Sequence, residues 1–465
     1  MRKLLCISAC TLLVTFYAHA QPISIAFTNV SVIDVLAGQT RTAQTVVVSG
    51  DTIAAVGPMD SVRVPPNARV IRGDGKYLIP GLQDAHVHLR QRELLPLFTA
   101  NGVTSVRLMW GFPVHREWKR DAEAGSLVGP RIYMAGSIID GPRPVWPDST
   151  AVRNESEARQ AVRDTKASGA QFVKVYSLLP RDPYLAIADE AARQNIPFVG
   201  HVPHSVSARE ASDAGQRSIE HLTGISLAAS RREDELRQRL LKGENFSGEF
   251  ERTVYESFDP VKAASLFARF RQNGTWQSPT LVMLRNTANR NDPILAADPR
   301  LKYIPESVKR QWVTPPSDVR FRNPNPDEIA FVKRNIARQQ ELVGGMNRAG
   351  VPIVAGTDTP NPFCLPGFSL HDELTLLVAA GLSPMQALQA ATINVARLVG
   401  RDKELGALTA GRLADLVLLD ADPTRDIQNT QRVDMVMMNG RLWDRSGLDE
   451  LLRDAESFVA QDGRR

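Results

Sequence analysis

The chain has 465 residues, 43% of them hydrophobic and 23% charged, with a formal net charge of +5. That length exceeds one ordinary domain and fits one large α/β barrel plus a smaller module, and the apolar fraction supplies a sizeable core. The basic residues are spread along the chain with no stripe interleaved with aromatics, which argues against a nucleic-acid partner, and no low-complexity tract marks a disordered segment.

The first twenty residues are expected to form a secretory signal. Arg2 and Lys3 make a charged start, Leu4 to Tyr17 an apolar stretch, and Ala18-His19-Ala20 a cleavage site that leaves Gln21 first. The stretch is too short to span a membrane, and no other span is visible. The protein is therefore expected to be exported, periplasmic or secreted. Ile7-Ser8-Ala9-Cys10 also resembles a lipoprotein box, but its apolar region would be short, so plain export is preferred. Cys6 and Cys10 would leave with the signal, and Cys364 alone excludes an intrachain disulfide. No GxSxG motif marks a serine nucleophile.

Residues 23 to 80 alternate in strand fashion between Gly, Asp and Pro turns, which predicts a small β module. From Leu82 the rhythm becomes strand, helix, strand. Strands are expected near 82–89, 103–109, 130–138, 171–177, 196–202, 217–222, 275–281 and 351–358, with helices between most of them, such as 155–169 and 184–195. Eight such repeats predict a closed parallel (β/α)8 TIM barrel. The stretches 224–260 and 283–330 are longer than ordinary connections and follow strands 6 and 7. They are either substrate walls and lids or surface elaboration. A helical stretch at 383–400 follows strand 8. β pattern then returns in GALTAGRLADLVLLDADP and VDMVMMNGRLWD, and a closing helix is expected near 447–461. The expected division is a signal at 1–20, the barrel at 81–403, and a composite β-sandwich built from 21–80 and 404–465.

Six side chains sit at or near the ends of the expected barrel strands. His86 and His88 in DAHVHL are two apart, so in a strand both imidazoles share one face, and Asp84 shares it too. Lys174 interrupts the apolar run Phe172 to Tyr176. A charged lysine there is costly unless it reaches solvent. A neutral one could instead react with carbon dioxide to give a carbamate able to bridge two metal ions. His201, His221 and Asp358 each close a later strand, and the chain holds only eight histidines. Imidazoles and carboxylates suit zinc, with iron, manganese, cobalt and nickel compatible. Two divalent ions about 3.5–4 Å apart can hold a bridging hydroxide and polarise a carbonyl. Asp358 could ligate one ion, take the hydroxide's proton and pass it to a leaving nitrogen.

These residues make the sequence resemble the amidohydrolase superfamily, and within it the imidazolonepropionase-like and prolidase-like branch. ATINVARLVG and GALTAGRLADLVLLDADP are similar to that family's closing segment. The resemblance implies a barrel with a sandwich from both termini. It also implies a ligand set of HxH, a carboxylated lysine, two histidines and an aspartate, matched in order by His86, His88, Lys174, His201, His221 and Asp358. His86, His88 and Asp358 would hold the more buried ion, His201 and His221 the outer one, and modified Lys174 would bridge. Three substrate contacts are expected. Tyr176 would share the Lys174 face or simply pack. Arg107 would anchor an acidic group or pair with a core acid. His204 would bond substrate or a ligand.

The implied activity is hydrolysis of an amide or peptide C–N bond in a small carboxylate-bearing substrate, such as a dipeptide or N-acyl amino acid. A lactonase or esterase using the same site, and a non-catalytic binding relative, are the alternatives. Self-association stays open.

Overall fold

Both ends of the chain build one sheet. The computed structural model describes residues 24–313, apart from 245 and 247, and residues 326–462, so the expected signal lies outside the described residues. β1 (Ser24–Asp34) pairs antiparallel with β2 (Gln39–Ser49), and β2 with β3 (Thr52–Pro58). On its other edge β1 runs parallel to β4 (Arg69–Arg72) and β5 (Tyr77–Pro80). A second, parallel sheet follows: β6 (Leu82–Val87), β7 (Val103–Leu108), β8 (Arg131–Asp140) with the short β9 (Thr150–Ala151) beside it, β10 (Phe172–Val175), β11 (Phe198–Gly200), β12 (Ser218–Glu220) and β13 (Trp276–Ser278). The chain then returns to the first sheet. β14 (Leu416–Leu419) pairs antiparallel with β5 and with β15 (Val433–Met438), which pairs with β16 (Arg441–Trp443). The architecture is an α/β barrel beside a mixed sheet made from both termini, as expected.

Strand alternation explains how the two sheets join. In β14, Leu416 and Leu418 face the small core of Phe27, Val46, Val48 and Met437. Val417 and Leu419 face the other way, into the core that runs on into the barrel. A strand buried on both faces needs the uninterrupted apolar run LVLL. The closing helix, Arg445–Asp462, leaves the sheet and packs Ala455 and Val459 on Leu94 and Leu97 of the barrel.

The eighth barrel position differs from expectation. Residues 351–358 form no regular strand, only single parallel bridges from Ile353 to Gln277 and from Thr359 to Val87. Hydrogen bonds nevertheless close the ring on both sides. Gln277 N donates to Pro352 O and Val354 N to Gln277 O, while Ala85 N donates to Ala355 O and Asp358 N to His86 O. Pro352 has no N–H to give, and Asp358 has φ of 58°, which turns the chain out of the ladder. Gly356 permits the approach: a Cβ there would lie 2.8 Å from His86 Cβ and 2.7 Å from Ser278 Oγ.

The helical stretch expected at 383–400 is two helices, Pro384–Ala390 and Ile393–Leu398. The break frees carbonyls that tie the base of the barrel, because Ala390, Ala391 and Thr392 accept from Ala355 N, Gln83 N and Gln83 Nε2. The two long connections are also helical. Residues 225–256 carry three helices around Leu227, Leu236, Leu240, Phe250 and Val254. In the other, the helix Glu306–Val313 lies over the loop after Asp358, where Trp312 Nε1 donates to Pro360 O at 2.8 Å.

One buried acid in the next helix, Phe368–Ala379, gives a pH test of this packing. Burial pushes Glu373 up to about 8. Its Oε2 accepts from Val282 N at 2.7 Å, while Oε1 has no hydrogen-bond partner. A folded pKa above the usual value of 4.5 means the folded state keeps a proton that the unfolded chain releases. The stability linked to it is intact below the unfolded pKa and lost as pH rises through the folded one. Thermal and urea melts of chelated protein are expected to show stability falling between pH 6.5 and 8, and Glu373→Gln to remove about 1–2 kcal/mol of that fall. An unchanged slope in the variant would place the titration elsewhere. His115 and His371, held down near 4 by burial, are neutral throughout that window.

Candidate metal centre

His86 lies within β6 and Lys174 within β10. His88, His201 and His221 follow directly on their strand ends, and Asp358, whose N–H donates to His86 O in the irregular eighth segment, joins them at the same mouth of the barrel. His221 and Asp358 have φ of 57° and 58°, a costly conformation for residues other than glycine that recurs where a site must aim a side chain.

His86, His88 and Asp358 offer ligand atoms that all lie within 4.8 Å of one another. Asp358 Oδ1 is 3.3 Å from His86 Nε2 and 3.0 Å from His88 Nε2, yet neither His86 Nε2 nor Asp358 Oδ1 makes a hydrogen bond. Buried polar atoms without partners are rare in proteins, and here they converge. His221 joins this group, its ring centroid 4.4 Å from that of His86 and its Nδ1 3.7 Å from Asp358 Oδ2. The His201 ring lies 5.1 Å beyond His221.

Each imidazole away from His88 is held by one ring nitrogen. His86 Nδ1 meets Glu220 Oε2 at 2.8 Å, His201 Nδ1 meets Ser177 Oγ at 2.9 Å, and His221 Nδ1 meets Thr280 Oγ1 at 2.7 Å. That leaves Nε2 of each available, the arrangement by which outer partners orient metal-binding histidines. Burial drives His88 down to about 4 and holds His201 and His221 well below the usual range. Burial opposes ionisation of Asp358, but the imidazoles of His221 and His86 hold its carboxyl well below the usual range. Neutral imidazoles at His88, His201 and His221 and an ionised carboxylate at Asp358 are the forms that bind a divalent cation, so the donor set fits one.

Lys174 is 1% exposed, and no carboxylate lies within ion-pair distance of it among the described residues. Burial lowers its pKa to about 8, against the pull of Glu220 and Asp358. Its Nζ lies 5.9 Å from the ring of Tyr176, which stacks on His201 at 3.9 Å. Gly200, with φ of 133°, makes room for the lysine stem: a Cβ there would lie 3.1 Å from Lys174 Cδ and 2.2 Å from Val175 O.

The remaining sequence candidates divide. The Tyr176 hydroxyl accepts from Trp146 Nε1 at 3.0 Å, and its ring stacks on His201. His204 is half-buried in the turn after β11, its backbone N–H bonded to Ser177 O and its carbonyl to Arg237. Arg107 is not available to substrate. It is 1% exposed, and its guanidinium binds Ala85 O, Ser218 Oγ and Glu220 Oε1 at 2.6, 3.0 and 2.6 Å. Its core-acid reading is the one the geometry carries.

Sequence reasoning missed that acid. Glu220 immediately precedes His221, is fully buried, and links Arg107 to His86. Burial opposes its charge, but Arg107 and His86 hold it well below the usual range. Glu220 in SIE and Arg107 in SVR, each with serine two residues before it in an expected barrel strand, were the available signal.

Removing one side of a buried ion pair leaves an uncompensated charge and costs about 3–5 kcal/mol. Arg107→Met is therefore expected to lower unfolding free energy in urea by about that amount, with Arg107→Met/Glu220→Gln recovering part of it. Unchanged stability with only a raised KM would restore the substrate-anchor role.

The amidohydrolase family model matches residues 77–443. The chain belongs to the amidohydrolase family. This amidohydrolase is 25% identical to ochratoxinase of Aspergillus niger over 402 residues, 77% of the chain and 68% of that enzyme. It is 40% identical to imidazolonepropionase of Shouchella clausii over 101 residues, a match that spans only 22% of that enzyme and 21% of the chain. Among solved structures it superposes on bottromycin amidohydrolase with TM-score 0.75 and 26% identity, covering 94% of this chain and 91% of that one. A Xaa-Pro dipeptidase shares the fold at TM-score 0.65 and 19% identity, over 90% and 100% of the two chains. The amidohydrolase is a hydrolase, of a family that generally binds divalent metal ions. No helix among the described residues is long and apolar enough to cross a membrane.

Proposed function

We propose that this amidohydrolase cleaves the amide or peptide C–N bond of a small substrate carrying a free carboxylate, a dipeptide or N-acyl amino acid. His86, His88 and Asp358 would hold one divalent ion, His201 and His221 a second, and a carbamate on Lys174 would join them. Zinc suits this donor set best. When bound, such ions activate water at neutral pH and polarise a carbonyl oxygen. The observation that carries the reading is Lys174 itself, a buried amine with a depressed pKa and no ion-pair partner among the described residues, set among the ligand histidines. An uncharged amine can attack carbon dioxide and lose a proton, which exchanges a costly buried cation for a carboxylate.

The chain's own groups supply the rest. Asp358, ionised and beside three imidazoles, can take a proton from water at a carboxylate oxygen and return it to the leaving nitrogen. An amine anion is too poor a leaving group to depart without that proton. Tyr176, stacked on His201, can orient the substrate. Export, with the signal removed after Ala20, belongs to the same reading and suits scavenging of external amides.

The test is a panel of dipeptides, N-acyl amino acids, matched esters and lactones on zinc-loaded, bicarbonate-treated protein. Turnover highest on carboxylate-bearing amides is the expected result. Ester or lactone turnover alone would move the assignment to the esterase alternative, and loss of all turnover in fully metallated protein would overturn catalysis of this class.

A further inference from the structure

Two residues in left-handed backbone meet at the edge of the candidate metal centre. His221, directly after β12, has φ of 57°, and Thr280, in the turn after β13, has φ of 48°. Such angles are uncommon for residues other than glycine, and for a β-branched threonine they are a genuine outlier. A strained residue persists only where its surroundings hold it. Here His221 N donates to Ser278 O at 2.9 Å, Thr280 O accepts from Leu284 N at 3.2 Å, and Val282 N is fixed on Glu373 Oε2 at 2.7 Å. Thr280 is fully buried, so its hydroxyl meets no solvent.

That hydroxyl has two polar neighbours. Thr280 Oγ1 lies 2.8 Å from Pro279 O and 2.7 Å from His221 Nδ1. A carbonyl can only accept and a hydroxyl carries one proton, so the proton goes to Pro279 O and a lone pair faces the imidazole. His221 Nδ1 must then carry its own proton, which leaves Nε2 bare. A second acceptor competes for the Nδ1 proton: Asp358 Oδ2, 3.7 Å from the same nitrogen. A ring swung onto Asp358 would occupy a carboxylate oxygen that the candidate centre needs. The nearer threonine holds the ring off it.

We propose that Thr280 is a positioning residue of this centre: its hydroxyl fixes the tautomer and plane of His221 and keeps the His221 N–H from Asp358. The role rests on the metal-centre reading for its purpose and on the hydrogen bonds alone for its geometry. Two substitutions separate the hydroxyl from the backbone strain. Valine keeps the branched Cβ and removes the hydroxyl, while serine keeps the hydroxyl and removes the branch.

The experiment compares wild type, Thr280→Val and Thr280→Ser in two ways. Nitrogen NMR of chelated protein carrying labelled histidine reads the tautomer, with His221 assigned by the signal lost in His221→Gln. Wild type and Thr280→Ser should show His221 protonated at Nδ1, and Thr280→Val should lose that single form. Zinc affinity is measured by competition with a chelator in bicarbonate buffer. It should fall about 10- to 100-fold in Thr280→Val, the usual effect of removing the partner of a ligand histidine, and stay within about threefold of wild type in Thr280→Ser. Thr280→Ser should also melt at or above wild type, because the branch that strains the backbone is gone. Equal zinc affinity in all three proteins, or His221 protonated at Nε2 in chelated wild type, would overturn the role. Equal losses in both variants would make Thr280 a packing residue and overturn it as well. Wild type that takes up no zinc would sink the metal reading and this purpose with it, even where the tautomer is the one assigned.

Discussion

Lys174→Ala is expected to lower kcat/KM at least about 10³-fold and to reduce bound metal from about two ions per chain. The size follows from the ions' contribution to transition-state stabilisation, several kcal/mol at about 1.4 kcal/mol per decade of rate. The fold should survive, because the side chain removed is a buried amine with no ion-pair partner among the described residues, whose loss leaves no charge stranded. Elemental analysis and thermal melts on wild type and variant, purified side by side, separate the two effects. Metal uptake by wild type should depend on bicarbonate, since the carbamate needs carbon dioxide, and uptake by the variant should not. Lys174→Glu supplies a carboxylate without carbon dioxide and is expected to regain metal in part. Two ions bound to Lys174→Ala would remove the bridging role, and a mere loss of stability would return Lys174 to a packing residue.

The candidate ligand set was legible because a barrel turns sequence periodicity into position. His86 and His88 are two apart in an apolar strand, Lys174 breaks another, and His201, His221 and Asp358 each close a run, so counting strands already placed them at one mouth. What stayed hidden was pairing across the chain. Arg107 and Glu220 are 113 residues apart, and nothing local tells a buried arginine that waits for substrate from one already bound to a core acid. Ser177 and Thr280, which hold His201 and His221, are ordinary hydroxyl residues until the fold brings them to an imidazole. The same limit explains the two misread elements. PIVAG has strand composition, but Pro352 and the turn at Asp358 leave it only single bridges. The break at Thr392 has no Gly or Pro to announce it, because its cause is the hydrogen bonds that its carbonyl and those of Ala390 and Ala391 accept from Gln83 and Ala355.

Asp358→Asn is expected to lower kcat on amides by about 10³–10⁴-fold, the upper range for a lost proton-transfer group, and to do so without unfolding the chain. Asparagine fits the same volume and tolerates the left-handed backbone at φ of 58°, whereas Asp358→Ala adds a conformational cost of about 1–2 kcal/mol. The variant keeps an oxygen near His86 and His88 but gives up the charge and the proton-accepting capacity. Its effect should therefore depend on the leaving group. An amide nitrogen must be protonated before it departs, while an activated ester releases a stable anion unaided. The ratio of amide to activated-ester turnover is thus expected to fall at least about tenfold in Asp358→Asn. Equal losses on both substrates, with metal content reduced in step, would instead make Asp358 a ligand and nothing more, and proton delivery to nitrogen would then have to come from another group at the mouth of the barrel.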